Sequence, residues 1–178
     1  KTVPTTFEFT DIAGIVKGAS RGEGLGNKFL SHIRQVDAIC QVVRCFEDEN
    51  ITHVAGKVDP IADIETINLE LVLADLESVD KRIARVAKIA KTKDKDAVAE
   101  LAVLEKIKPV LEEGQLARTI EFTDEELPIV KGLFLLTTKP MLYIANISED
   151  DVMEGGHNQY VQLVEEYAAK EDAEVVVI

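Results

Sequence analysis

The feature that most constrains the fold of this 178-residue chain is a regular seam of apolar side chains in its middle third. The seam steps by four, three, four, three and four residues through Val72, Leu76, Val79, Ile83, Val86 and Ala90. This spacing predicts a long helix whose apolar stripe packs on a partner helix. Asp59 before Pro60 favours a helix start there, and the lysine-rich stretch 91–95 predicts the turn that follows.

The partner helix follows directly along the chain. Apolar residues return at helical spacing as Val98, Leu101, Leu104, Ile107 and Leu111. We expect Pro109 to end or kink this second arm and Gly114 to cap it. The two arms together predict an antiparallel helical hairpin.

Short apolar runs lie on both sides of the hairpin, at 38–46, 141–147 and 174–178. Bounded by charges and rich in β-branched residues, they are typical of buried strands. Helical patterns cover 27–36, 127–136 and 160–169. Strands that alternate with helices predict an α/β fold with a parallel sheet, into which the hairpin is inserted.

Composition excludes several classes of protein. With 33 acidic and 20 basic side chains the net charge is −13, which argues against a protein wrapped broadly on nucleic acid or an anionic membrane but permits a local basic patch, and we expect no DNA partner. Cys40 and Cys45 are too few for a disulfide scaffold, and we expect two buried free thiols. Without a charge-free apolar run of about 18 residues or a signal peptide, we expect a cytoplasmic protein with no membrane span. The oligomeric state stays open.

A glycine-dense segment near the start of the chain carries the first chemical signal. Asp11-Ile12-Ala13-Gly14 follows a strand-like stretch, so the Asp11 carboxylate can hold Mg²⁺ directly or through water and the Gly14 N–H can approach a phosphate. The alternative is a plain turn. The loop continues with Lys17, Gly18, Arg21, Gly22, Gly24 and Gly26. Its spacing matches neither the dinucleotide fingerprint nor a P-loop, so it favours a flexible switch or a phosphate contact.

The second signal is Asn146-Ile147-Ser148-Glu149, directly after the run at 141–147. Guanine-specific P-loop GTPases carry Asn-Lys-x-Asp here, and the Asp accepts hydrogen bonds from guanine N1–H and the amino group. With Ile147 and Glu149 in place of Lys and Asp, the pattern predicts relaxed or adenine-favouring recognition. The alternative is a simple helix start.

Taken together, these motifs resemble one family. The stretch DIAGIVKGASRGEGLGNKFLSHIRQVDAICQVVRCF, the hairpin, LLTTKP at 135–140 and NISE at 146–149 resemble the YchF subfamily of the Obg-like ATPases. The resemblance implies a partial Ras-like/Obg-type P-loop NTPase fold with an inserted coiled coil. The corresponding domains are 1–58 and 123–178 for the NTPase and 59–122 for the hairpin.

The resemblance also implies an activity. It predicts an NTPase that prefers ATP over GTP, uses Mg²⁺, associates with ribosomal RNA or protein, and acts in stress responses. Asp11 and Gly14 would sense Mg²⁺ and the γ-phosphate, and Asn146, Ile147 and Glu149 would form the adenine site. No catalytic residue is assignable, because Ile15 occupies the usual glutamine position and cannot orient water.

The departures from the family pattern leave alternatives open. The family's P-loop, switch I and C-terminal TGS domain are expected outside this chain, so residues 1–178 alone should bind nucleotide weakly and not turn it over. A constitutive coiled-coil binding module and an ordinary GTPase remain alternatives. The local basic run of Lys17, Arg21, Lys28 and Arg34 is either a phosphate or RNA contact or a solvated face, and the lysine-rich hairpin tip is a candidate partner surface.

Overall fold

The structure is a computed structural model that describes residue 6, residues 8–10, residue 30, residues 32–47 and residues 57–178. Its elements run in the order β1 (Ile39–Arg44), α1 (Pro60–Ala90), α2 (Lys95–Glu112), a 3-10 turn (Ala117–Thr119), α3 (Leu127–Leu133), β2 (Met141–Asn146), α4 (Glu149–Met153), α5 (Gln159–Lys170) and β3 (Glu174–Val177).

The three strands form a parallel sheet with β2 in the centre, as predicted. Val42 pairs with Ile144, and Ile144 pairs with Val176, so these three side chains cross one face in register. Tyr143 and Ala145 point to the other face, where they are fully buried. The core on that face is completed by side chains of α1 and α5, among them Ile64, Leu71, Val161 and Val164.

The helical hairpin is confirmed. Asp59 caps α1 by accepting a 3.1 Å hydrogen bond from the Ala62 N–H, and Asp94 caps α2 by accepting a 2.8 Å bond from Ala97. The 31 residues of α1 span about 46 Å. All six seam residues of α1 belong to the core between the two arms.

The second arm differs from its prediction at two positions. Val98 is 49% exposed and the buried residue beside the tip is Ala97, one turn before Leu101 on the same helix face. Pro109 lies inside α2, which continues to Glu112. The proline leaves only the Glu105 carbonyl without its helical donor, and both residues are exposed, so water can satisfy that carbonyl.

Gly114 ends α2 as predicted. Its φ of +76° places it in the left-handed region. The Gly114 N–H donates to Leu111 at 2.9 Å, and the Gln115 N–H donates to Val110 at 3.0 Å. These two bonds form a Schellman cap, which satisfies carbonyls left open at the helix end.

Helix α3 is shorter than the sequence predicts, because it ends at Leu133 rather than Leu136. Phe134 takes a left-handed conformation with φ +52°. The backbone N–H groups of Leu136 and Thr137 donate instead to the buried carboxylate of Asp75, at 2.9 and 2.7 Å. This tertiary acceptor competes with the helix for the same donors.

The hairpin core extends beyond the two arms, because Val130 of α3 and Leu135 pack into it. The domain boundaries drawn from the sequence therefore stay a prediction.

Cys45 is buried and free as expected, and burial raises the pKa of its thiol to about 11. Cys40 is also free but exposed, so the expectation of two buried thiols is wrong for that residue. Among the described helices, none has the length and apolar character needed to cross a bilayer.

Candidate nucleotide-base site

The carboxyl ends of the three strands form one edge of the sheet, where α/β proteins bind ligands. Backbone bonds continue past the strand ends. Cys45 N–H donates to Asn146 at 2.8 Å, and Ile147 N–H donates to Ile178 at 2.9 Å. Asn146 and Ile147 are therefore fixed from both sides, by the segments that follow β1 and β3.

The four residues of the predicted base motif fall into different environments. Asn146 is half-buried at the end of β2, and Glu149 is exposed at the first position of α4. Ile147 is only 8% exposed and packs into the core of the sheet. Asn146 and Glu149 therefore offer polar groups to solvent at this edge, as the neighbouring Ser148 and Asp150 also do, while most of Ile147 packs into the core.

Ser148 and Asp151 fix the start of α4. The Ser148 hydroxyl donates to Asp151 Oδ2 at 2.8 Å, and the Asp151 N–H donates back to Ser148 Oγ at 3.2 Å. The hydrogen bond from Ser148 lowers the pKa of Asp151, with a smaller contribution from Asn158. These two hydrogen bonds fix the turn that leads from β2 into α4, and this turn carries Glu149.

Asn158 links this turn to the rest of the edge, a role that the sequence analysis missed. Its amide nitrogen donates to the Cys45 carbonyl at 2.7 Å and to Asp151 Oδ2 at 3.1 Å. Its amide oxygen accepts from the N–H groups of Tyr160 and Val161, both at 2.9 Å, and so caps α5. The available signal was an asparagine directly before an amphipathic helical pattern.

Two glycines return the chain from α4 to α5. Gly155 and Gly156 have φ of +107° and +75°, a region that other residues rarely adopt. The Gly156 N–H donates to the Asp151 carbonyl at 2.8 Å. The reversal brings Asn158 within reach of Asp151 and Cys45.

A second polar cluster lies at the base of the hairpin. Arg34 directly follows the helical residues 32 and 33 and belongs to the local basic run. Its guanidinium donates to Asp75 Oδ1 at 3.3 Å and to Ser78 Oγ at 3.1 Å. It also donates to the carbonyls of Ala74 and Phe134. Arg34 is therefore bonded within the protein and does not form a solvated face.

Asp75 is the centre of this cluster. Its carboxylate is fully buried and accepts from Arg34, from the backbone at Leu136 and Thr137, and from the Thr137 hydroxyl at 2.7 Å. Burial raises the pKa of Asp75, and these four donors offset part of the rise. All four hydrogen bonds are donated to the carboxylate oxygens, so they stabilise the ionised form of the buried Asp75.

Lys139 strengthens the same connection. Its ammonium donates to the carbonyls of Arg34 and Val36, at 3.0 and 2.7 Å, and burial lowers its pKa. Residues 34–36 are thus bonded to α1 through the Arg34 side chain and to the loop before β2 through Lys139. A displacement of residues 30–36 must either break these bonds or move the hairpin base with it.

The remaining predicted site residues lie outside the described part of the chain. They are Asp11, Gly14, Ile15, Lys17, Gly18, Arg21, Gly22, Gly24 and Gly26. His53 also lies outside it, whereas His32 is exposed and His157 contacts Glu165 at 3.1 Å. Within residues 57–178 and the shorter described ranges, no group of three or more His, Cys, Asp or Glu side chains is placed to hold a metal ion.

Comparison with known proteins places the parallel sheet and the inserted hairpin in a family. Residues 1–113 match the family described as 50S ribosome-binding GTPase. The chain belongs to this family. The match covers the glycine-dense segment, β1, α1 and α2.

Curated relatives confirm the resemblance to the YchF subfamily. A protein of Bacillus subtilis (strain 168) named ribosome-binding ATPase YchF is 67% identical over 178 residues, which are 100% of this chain and 49% of that protein. A protein of the same name from Escherichia coli O157:H7 is 55% identical over 99% of this chain and 48% of its own length. The chain thus spans about half the length of these relatives.

A solved structure confirms the fold class. The structure of the Schizosaccharomyces pombe YchF GTPase matches with a TM-score of 0.77 and 38% sequence identity. The match covers 92% of this chain and 45% of that one. The predicted Ras-like/Obg-type parallel sheet with an inserted helical hairpin is therefore correct.

Proposed function

We propose that the full-length protein is a P-loop NTPase that binds and hydrolyses ATP in preference to GTP and acts as a ribosome-associated switch. The observation that carries this proposal is the position of Asn146 and Glu149 at the carboxyl end of β2. Ser148, Asp151 and Asn158 hold that turn through hydrogen bonds of 2.8 to 3.2 Å. A site fixed in this way can select a base by its polar edge.

The chemistry of the two bases explains the proposed preference. Guanine presents an N1–H and an amino group, whereas adenine presents an acceptor at N1 and a donor amino group. The side-chain amide of Asn146 has both a donor and an acceptor, which match adenine N7 and its amino group. Glu149 is one carbon longer than the aspartate of guanine-specific sites, so its carboxylate no longer sits where guanine N1–H requires it.

Mg²⁺ and the phosphates would be bound by the segment around Asp11 and Gly14. A carboxylate oxygen is the donor that Mg²⁺ prefers, so Asp11 fits the ion on its ligand chemistry. When bound, the ion would neutralise negative charge on the phosphates. Ile15, next to Gly14, cannot orient a water molecule, so we expect slow basal hydrolysis that a partner accelerates.

The proposed partner is the ribosome, through ribosomal RNA or protein. The proposal is supported by the relatives, which are named ribosome-binding ATPase, and by the family, a group of 50S ribosome-binding GTPases. A ribosome partner implies a cytoplasmic protein. The bonds from Arg34 and Lys139 connect residues 30–36 to the hairpin, which gives the nucleotide state a route to a partner-binding surface.

Two alternatives are tested by one experiment on the full-length protein. Binding to purified large ribosomal subunits is measured by co-sedimentation with ATP, a non-hydrolysable ATP analogue, ADP or GTP. A switch requires affinity that differs between the ATP and ADP states, whereas a constitutive hairpin module binds equally in all states. An ordinary GTPase responds to GTP and not to ATP.

A matched pair of variants tests the site itself. Glu149→Ala should weaken ATP binding by the full-length protein, because it removes the carboxylate at the base edge. Asp150→Ala removes an equally exposed acidic side chain from the same turn of α4 and should leave ATP binding unchanged. Equal ATP affinities of the two variants would contradict the assignment of Glu149.

A further inference from the structure

The tip of the hairpin carries basic side chains that differ in their bonding from those lower on the arms. Further down, Lys81 pairs with Glu77, Arg82 with Glu100, and Lys108 with Asp80 at 2.6 Å. At the tip, within residues 57–178, none of the basic side chains forms an ion pair within 4.0 Å. These residues are Arg85, Lys88, Lys91, Lys93 and Lys95, and all five are exposed.

Stabilisation of the helix ends explains the presence of only some of these basic residues. Lys88 lies in the last turn of α1 and Lys91 is its C-cap, where cations interact favourably with the helix dipole. Lys95, in contrast, is the first residue of α2, where the dipole repels a cation. Lys93 has φ +62°, a conformation that glycine or asparagine adopts more easily. Lys93 and Lys95 therefore occupy positions where other residues would be more stable.

The charge at the tip is opposite to that of the whole chain. Residues 85–96 hold five basic and two acidic side chains, whereas the chain has a net charge of −13. One of the two acids, Asp94, is engaged as the cap of α2. The tip lies at the far end of a helix of about 46 Å, away from the sheet. It therefore presents a positive surface to a polyanion.

The residue types favour an RNA backbone over a protein partner. Four of the five basic residues are lysines, which contact phosphate as point charges without bidentate geometry. Residues 85–96 contain no aromatic side chain to stack on a base or to anchor a protein interface. The nearest large apolar side chains, Ile89 and Val98, are only 48% and 49% exposed. Such a surface binds phosphates without reading sequence.

We propose that the lysine tip, defined as Arg85, Lys88, Lys91, Lys93 and Lys95, binds the phosphate backbone of structured RNA. On the proposed function, this RNA is that of the large ribosomal subunit. The tip contributes salt-dependent affinity, and each lysine that neutralises a phosphate releases condensed counterions.

The test compares two triple variants of the full-length protein. The tip variant carries Lys91→Gln, Lys93→Gln and Lys95→Gln, and the control carries Lys57→Gln, Lys131→Gln and Lys170→Gln, three exposed lysines elsewhere. Both lose three positive charges. Affinities for purified large subunits and for their deproteinised RNA are measured between 50 and 200 mM KCl (roughly the range over which phosphate contacts are screened). Circular dichroism checks that α1 and α2 are still formed.

We expect the tip variant to bind both probes about tenfold more weakly at the lower salt. We also expect the slope of log affinity against log salt to fall in magnitude by about 2 to 3, since about 0.7 to 0.9 is lost for each phosphate contact. The control should match the wild type. Wild-type affinity and slope in the tip variant would overturn the proposal. Loss of subunit binding with unchanged binding to deproteinised RNA would also overturn it, in favour of a ribosomal protein. If the wild-type protein binds no subunits in any nucleotide state, the proposed function itself fails.

Discussion

The guanidinium of Arg34 lies 3.3 Å from the buried carboxylate of Asp75, across 41 residues of chain. The contact joins the stretch that contains Arg34, eight residues after Gly26, to the base of the hairpin. The same carboxylate holds the loop before β2 through Leu136 and Thr137. One buried acid therefore connects residues that follow the glycine-dense segment with the helix that leads to the lysine tip.

The Arg34–Asp75 pair gives a stability prediction. Asp75→Ala should lower the free energy of unfolding by about 3 kcal/mol or more, because it leaves the donors of Leu136 and Thr137 without an acceptor and removes the carboxylate that pairs with the Arg34 charge. Arg34→Ala should cost less, since Asp75 keeps three of its four donors. Urea unfolding of both single variants and the double variant gives the coupling energy. A coupling indistinguishable from zero would show that the contact does not stabilise the fold.

Asn158 tests whether the turn at residues 146–151 needs its support. Asn158→Ala should cost about 1 kcal/mol of stability through loss of the α5 cap, and should also weaken nucleotide binding because the bonds to Cys45 and Asp151 are lost. Asp94→Ala removes the comparable cap of α2 at the distant tip. It should cost similar stability and leave nucleotide affinity unchanged. If both variants bind nucleotide alike, Asn158 is only a helix cap.

Two glycines with open space around them should respond in opposite ways to alanine. Gly114 has φ +76°, so Gly114→Ala should destabilise the protein by about 1 kcal/mol through backbone strain. Gly132 lies inside α3, and Gly132→Ala should stabilise it by up to about 1 kcal/mol. Thermal unfolding midpoints of the two variants should therefore move in opposite directions. A shift in the same direction would contradict the backbone assignment at one of the two positions.

The buried Tyr143 and the half-buried Tyr167 predict alkaline instability. The pKa of each is raised to about 12, mainly by burial, and the 2.6 Å hydrogen bond from Tyr143 to Glu171 is a smaller part of the rise at Tyr143. In the unfolded chain tyrosine has a pKa of about 10. Between these values the unfolded chain releases protons that the native state keeps, so the free energy of unfolding should fall as pH rises from 10 to 12.

This dependence is measured by urea unfolding at several pH values. The Tyr143→Phe and Tyr167→Phe variants should each show a shallower decline, because one of the shifted groups is gone. Phenolate absorbance in guanidinium is the control, since all three tyrosines should then titrate near 10. A native titration that coincides with the denatured one would contradict the burial of these hydroxyls.

Much of the fold follows from local sequence patterns. The seam from Val72 to Ala90 predicted α1 because heptad spacing and an Asp-Pro start are local signals. The same is true of Gly114 and of the three strands. Helix α3 was predicted too long because the donors at Leu136 and Thr137 bind Asp75, an acceptor 61 and 62 residues away. No local sequence pattern indicates that Asp75 competes with the helix for these donors.

In the candidate site, too, local relations were predicted from the sequence and long-range contacts were not. Asn146 and Glu149 were found from their place after an apolar run, which is a local relation. Asn158 was missed because its bond to the Cys45 carbonyl spans 113 residues. Arg34 was grouped with the basic run for the same reason, since its partner Asp75 becomes a neighbour only in the folded chain. Ile147 was assigned to the base, whereas the packing of β3 and α5 places most of its surface in the core.

The proposed function depends on the selection of adenine by the turn that carries Asn146 and Glu149. Titration of the full-length protein with ATP and with GTP in Mg²⁺ tests this selection through the two dissociation constants. We expect tighter binding of ATP, with the difference reduced in Glu149→Ala and retained in Asp150→Ala. Tighter binding of GTP would contradict it and return the protein to the ordinary GTPases.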